Sequence, residues 1–166
     1  MNIKRIFGTC LLFLPFSSGA AVGVSLYSDC SKQDGVGVIA VNGGKQMVEL
    51  HESLLPWSLS TPTLIFRGYR TNANGGYSAL RIGGAIADYY GRQSLTSGEK
   101  KTGFVSFSTF IRDYEKERDA GDLLIFYEVS SAKDHMLVGD SGVILIPGGD
   151  GRTNHCPVVI PSSKAR

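Results

Sequence analysis

Leu64-Ile65-Phe66-Arg67-Gly68 sets a single cation at the end of an apolar run, and a cation closing a buried strand costs free energy unless something anionic meets it. Two later stretches have the composition to answer it. Phe104-Val105-Ser106-Phe107-Ser108-Thr109 reads as an apolar strand carrying hydroxyls at alternate positions, which puts Ser106 and Ser108 on one face. Leu123-Leu124-Ile125-Phe126-Tyr127-Glu128-Val129 reads as a further strand with a carboxylate, Glu128, near its end. Taken singly, each feature is ordinary. An arginine at a strand end usually snorkels into water, alternating serines usually mark an exposed strand face, and a strand carboxylate usually guards an edge.

Outward from these three stretches, residues 36–41 read as a strand, Asn42-Gly43-Gly44 as a turn and residues 46–50 as the partner strand of a hairpin. Residues 54–62, with Pro56, Trp57 and Pro62, form a connector, and residues 71–78, rich in Asn and Gly, a loop. Leu80, Ile82, Ile86, Ala87 and Tyr90 fall at helical spacing, so residues 79–90 are expected to be a helix weakened by Gly83-Gly84. Residues 93–102 are polar and are expected to be a surface loop, and residues 111–118, the most charged run, an exposed helix with mixed-sign pairs. Residues 143–146 close the core as a last strand, followed by a turn at 147–151 and a tail at 156–161. The pattern predicts an α+β fold, a small mixed sheet with few helices.

Residues 1–21 have the form of a secretory signal: Lys4 and Arg5, the apolar stretch 6–16, then Ser18-Gly19-Ala20-Ala21. The apolar stretch is well short of the ~20 residues a membrane span needs, so no transmembrane segment is expected after its removal, and residues 22–166 form one domain. That domain has 15 basic and 15 acidic residues, because Lys4 and Arg5 leave and no acid does. A balanced charge argues against nucleic acid as a partner, which calls for a clustered positive surface. Signal removal also takes Cys10 and leaves Cys30 and Cys156, which in an exported chain most simply pair. Two thiols with His155 nearby do not make a zinc set, and no metal is expected. The expected location is secreted or periplasmic.

In order, Phe66-Arg67, then Phe104-Val105-Ser106-Phe107-Ser108, then Phe126-Tyr127-Glu128-Val129 resemble the catalytic domain of the cholera-like and pertussis-like ADP-ribosylating toxins, over roughly residues 64–136. In that family an aromatic-Arg strand, an aromatic-x-Ser-x-Ser strand and a Tyr-x-Val strand follow one another. The resemblance implies NAD as substrate, with Arg67 on its phosphate or ribose and Ser106 and Ser108 shaping the nicotinamide pocket. Tyr69, Tyr89 or Tyr90 could stack on nicotinamide. Guanidinium suits the phosphate task because it donates in a bidentate fork. It further implies a toxin or effector that transfers ADP-ribose to a protein target in another cell, with a possible delivery subunit and a place in virulence.

Two departures stand against a full match. Phe107 replaces the family's usual Thr, and the family's catalytic glutamate, the last of a Glu-x-Glu or Gln-x-Glu pair before a late strand, has no counterpart. Asp140-Ser141-Gly142 precedes the 143–146 strand, so Asp140 is the first choice for the catalytic acid and Glu128 the second. A carboxylate displaced by about 1 Å can cost ~10²-fold in rate. Whether the chain is an enzyme is therefore open, leaning to an NAD-dependent mono-ADP-ribosyltransferase. The alternative is a catalytically inactive module of the same fold that binds a protein. A Ser-His-Asp hydrolase is disfavoured because His51, His135 and His155 come with no Gly-x-Ser-x-Gly element.

Overall fold

Alternation of buried and exposed positions organises the molecule. A computed structural model describes residues 22–58, 63–83, 91–130, 137–149 and 156–162. Strands β1 (Val22–Tyr27), β2 (Gly35–Asn42), β7 (Lys100–Ser106) and β9 (Leu137–Gly139) form one sheet in the order β7-β2-β1-β9, with β9 running parallel to β1. Strands β4 (Leu64–Thr71), β5 (Tyr77–Ala79), β8 (Leu123–Val129), β10 (Ser141–Ile146) and β11 (Val158–Pro161) form a second, antiparallel sheet in the order β11-β10-β8-β4-β5. A two-stranded ribbon, β3 (Val48–His51) with β6 (Arg92–Leu95), completes the strands among the described residues.

Val22, Val24, Val36 and Val38 from the first sheet and Leu123, Ile125, Ile144 and Ile146 from the second belong to one apolar cluster. Helix α1 (Phe107–Phe110) feeds that cluster. Phe110 stacks on Phe66 of β4 with ring centroids 4.2 Å apart, and Phe107 packs against both Phe110 and Tyr114 of helix α2 (Tyr114–Asp119). Large buried aromatics of this kind typically contribute 3–5 kcal/mol each, roughly, against truncation to Ala. The result is a strand-dominated α+β domain with two short α-helices and a 3-10 turn at Glu52–Leu54 among the described residues, as its sequence leads one to expect.

Several local expectations are overturned. Strands β2 and β3 do not form a hairpin: β2 pairs with β1 and β7, and β3 with β6. Asn42 is the reason. Its buried amide donates to the carbonyls of Gln46, at 2.7 Å, and Leu95, at 2.9 Å, while its Oδ1 accepts from Gly44 N–H. The turn is bolted to β6 and hands the chain to a different sheet. Residues 93–102, expected to be a loop, supply β6 and β7, with fully buried Leu95 and a turn at Gly98, whose φ of 76° suits glycine. Residues 79–83 are extended, with Ile82 bridging Ile111, so the helix expected at 79–90 does not begin there; residues 84–90 lie outside the described residues. Helix α2 is not simply a solvated face either. Tyr114 and Arg118 are buried, with Arg118 Nε donating to the Pro147 carbonyl, and Glu117 reaches Arg70 of β4 at 2.8 Å.

The tail is held as expected. Cys30 and Cys156 form a disulfide across 126 residues of sequence, with Cα atoms 5.0 Å apart. Strand β11 is thereby anchored near the end of β1, and Val159 N–H donates to Ser28 Oγ at 3.1 Å. The signal-like segment, Tyr89, Tyr90, His135 and His155 lie outside the described residues.

Candidate functional site

Strand β4 alternates strictly: Leu64, Phe66 and Gly68 face the core, and Ile65, Arg67 and Tyr69 face out. Antiparallel pairing carries the same parity across the sheet, because directly opposite residues share a face. One outward row is Ile160, Val143, Phe126 and Arg67, and the next is Val158, Leu145, Leu124, Tyr69 and Ala79. A third row brings Ser141, Glu128 and Ile65 together. A sheet face left to solvent is ordinarily polar. Here it is apolar and aromatic: Tyr77 is 64% exposed, Phe126 46% and Tyr69 39%, with the Tyr69 and Phe126 rings edge-on at 6.0 Å.

Arg67 stands between two open depressions on this face. One, of about 560 Å³, is lined by Arg67, Tyr69, Tyr77, Leu124 and Phe126. The other, of about 350 Å³, is shared by Arg67 with Ile65, Glu128, Ser141 and Ser162, among others. Glu128 and Arg67 are diagonal neighbours on the face, and among the described residues neither has an ion-pair partner.

The expected serine pair lies elsewhere. Ser106 is the last residue of β7, and the chain then turns into α1, so Ser108 is helical and the two serines do not share a strand face. Their hydroxyls meet at 2.9 Å, and Ser106 Oγ also donates to the Asp34 carboxylate at 3.1 Å. Strands β7 and β4 belong to different sheets, and Phe66, not Arg67, faces the helix that carries Ser108. Neighbouring strands therefore do not bring Arg67 and Ser106 around one ligand, as the roles implied by the resemblance would require.

The two carboxylates singled out by the sequence are placed differently. Asp140 lies between β9 and β10 and lines neither depression, whereas Glu128 shares one with Arg67. Burial pushes the Tyr127 hydroxyl up to about 12, and the negative charge of Asp140 adds to the effect. Gly142, the last residue of Asp140-Ser141-Gly142, is enclosed: a Cβ there would meet the Ile160 carbonyl at 2.5 Å and the Tyr127 ring and hydroxyl at 2.7 Å. A side chain at position 142 would therefore run into Tyr127 and β11.

Tyr77 and Ile65 are site residues that motif reading passes over, and they come to light through the strand order that sets them beside Arg67. No protein-family model matches the chain, and no curated protein matches it.

Proposed function

We propose that the chain is an exported, disulfide-tied binding module that engages a protein through the outer face of its five-stranded sheet. The observation carrying this reading is the exposed set Tyr69, Tyr77 and Phe126 around Arg67, which has no ion-pair partner among the described residues. Aromatic residues and arginine are the side chains enriched where proteins meet and where binding energy concentrates. Export is supported by the signal-like segment 1–21 together with the Cys30–Cys156 disulfide, which persists in oxidising compartments such as the periplasm or outside the cell. The enclosed Gly142 and the separation of Arg67 from Ser106 support binding over ADP-ribosyl transfer.

A second reading rests on one observation: Arg67 and Glu128 line the same depression. In it, the chain is an ADP-ribosyltransferase-like effector, with Arg67 holding NAD phosphate and Glu128, not Asp140, facing the ribose. Release of nicotinamide from NAD by the purified exported protein separates the two. The binding reading expects no release. Release that is lost in both Arg67→Lys and Glu128→Gln would overturn it in favour of the transferase. For the binding reading itself, a photo-crosslinking residue at Tyr77 should capture a protein in the exported compartment. The same residue at Met47, equally exposed but outside the five-stranded sheet, should not.

A further inference from the structure

We infer that the occupant of this face is a second copy of the same chain, packed sheet to sheet about a two-fold axis with Arg67 of each copy against the partner's Glu128. The inference rests on the binding reading and gives it a partner.

Association by adding a strand to the sheet is disfavoured at both edges. The Ser162 N–H donates to Ser141 O, so in the antiparallel alternation Ser162, Ile160 and Val158 turn their backbone groups toward β10, and Val159 and Pro161 turn theirs outward. The Val159 N–H is taken by Ser28 Oγ, and Pro161 has none to give. At the other edge β5 is three residues long. Short strands, proline and engaged donors are the usual ways of closing an edge. The face therefore offers a partner more than either edge does.

The face is self-complementary. Among the described residues it presents one cation, Arg67, and one anion, Glu128, set diagonally on the face. A two-fold axis lying in the interface and bisecting the line between them superposes each on the other's opposite, so both charges are paired twice over by symmetry. Covering Arg67 with an apolar partner would strand a buried cation. A second copy supplies the matching carboxylate without further requirement. Net charge does not oppose this, since residues 22–166 carry 15 basic and 15 acidic groups.

The area fits a modest dimer. Five strands spaced about 4.8 Å apart, with the central ones about 20 Å long, give a footprint of roughly 450–500 Å². Two such faces bury on the order of 1,000 Å², the lower end of specific interfaces, which sets the expected dissociation constant in the micromolar range.

Sedimentation velocity of the exported protein over about 1–200 µM should show a monomer–dimer equilibrium. Arg67→Glu and Glu128→Arg, each of which sets like charges opposite one another, should each weaken it by about 100-fold. The double swap, Arg67→Glu with Glu128→Arg, should return it to within about 3-fold of the original. Circular dichroism checks that the variants keep the fold, as expected for substitutions at exposed positions. A monomer throughout the range, a dimer indifferent to the single swaps, or a double swap that fails to restore association would each overturn the inference. A monomer that still crosslinks a different protein from Tyr77 overturns self-association and leaves the binding module standing. Nicotinamide release dependent on Arg67 and Glu128 removes the binding reading itself, whatever the oligomeric state.

Discussion

Replacing both Cys30 and Cys156 by Ala should destabilise the domain mainly through its unfolded chain. The bridge spans 126 residues. In the chain-entropy description the lost constraint is about 2.1 cal/mol/K plus 1.5R times the logarithm of that loop length, or roughly 16–17 cal/mol/K, which is about 5 kcal/mol at 25 °C. A domain's entire stability is only about 5–15 kcal/mol. With a urea m-value of about 2 kcal/mol/M, the unfolding midpoint should fall by about 2.5 M. The native tail should change far less. Strand β11 keeps its pairing to β10, the Ser162 N–H to Ser141 O bond at 2.8 Å and the Val159 N–H to Ser28 Oγ bond at 3.1 Å. Urea titration followed by tryptophan fluorescence and circular dichroism measures the midpoint, and amide exchange of β11 at low denaturant measures the tail. A midpoint shift under about 0.5 M would refute the unfolded-state reasoning. Loss of β11 protection in native buffer with little global change would refute the claim that hydrogen bonds hold the tail by themselves.

Gly142→Ala should cost about 1–3 kcal/mol, because the added methyl meets the Ile160 carbonyl and the Tyr127 ring and must push β11 or the ring aside; a thermal midpoint equal to the wild type's would show that the site is roomier than described. Burial also pushes the Tyr114 hydroxyl up to about 12, partly offset by the nearby Arg118, and Tyr127 behaves alike. Both tyrosines ionise near 10 in the unfolded chain, so above that pH the unfolded state holds fewer protons than the folded one. Stability should then fall between about pH 10 and 12 by up to ~1.4 kcal/mol per pH unit for each group. Tyrosine ultraviolet titration checks this, and ionisation of every tyrosine in one step near pH 10 with the fold intact would contradict it.

The strands that carry the fold were legible where burial alternates cleanly, as in 64–67, 123–129 and 143–146, but their partners were not, since pairing is non-local. Asn42 shows the limit well. An Asn-Gly pair between apolar runs signals a hairpin, yet here the asparagine side chain satisfies carbonyls on β3's approach and on β6, information that no local window contains. At Phe107 the sequence itself carries a competing signal. Phe107, Phe110, Ile111 and Tyr114 fall at i, i+3, i+4 and i+7, a helical stripe that competes with the alternating serines, and all four are buried. Asp34, which Ser106 Oγ contacts, lies 72 positions away and carried no sequence signal. The candidate face was half legible: Arg67 and Glu128 stood out by charge, whereas Tyr77 and Ile65 become informative only once the strand order shows that nothing among the described residues covers them.

Packing, and not a chance arrangement, keeps Arg67 from Ser106. Phe66 and Arg67 are adjacent on a strand, so they must face opposite sides, and the stack of Phe66 on Phe110 fixes which side is inward. Turning Arg67 toward the helix that bears Ser108 would require β4 to slip by one residue against β8. Such a slip exchanges the two faces completely. Leu64 and Phe66 would pass into water while Ile65 and Tyr69 took their places, so the apolar terms would offset only in part, and the guanidinium would enter the apolar core at a cost of several kcal/mol. The sum is a large fraction of the about 5–15 kcal/mol that stabilises a whole domain. A ligand that bridged Arg67 and the Ser106–Asp34 cluster would have to repay that sum in binding energy, which few ligands do. The outward Arg67 is thus a fixed property of the fold, and what it meets must approach from the solvent side of the sheet.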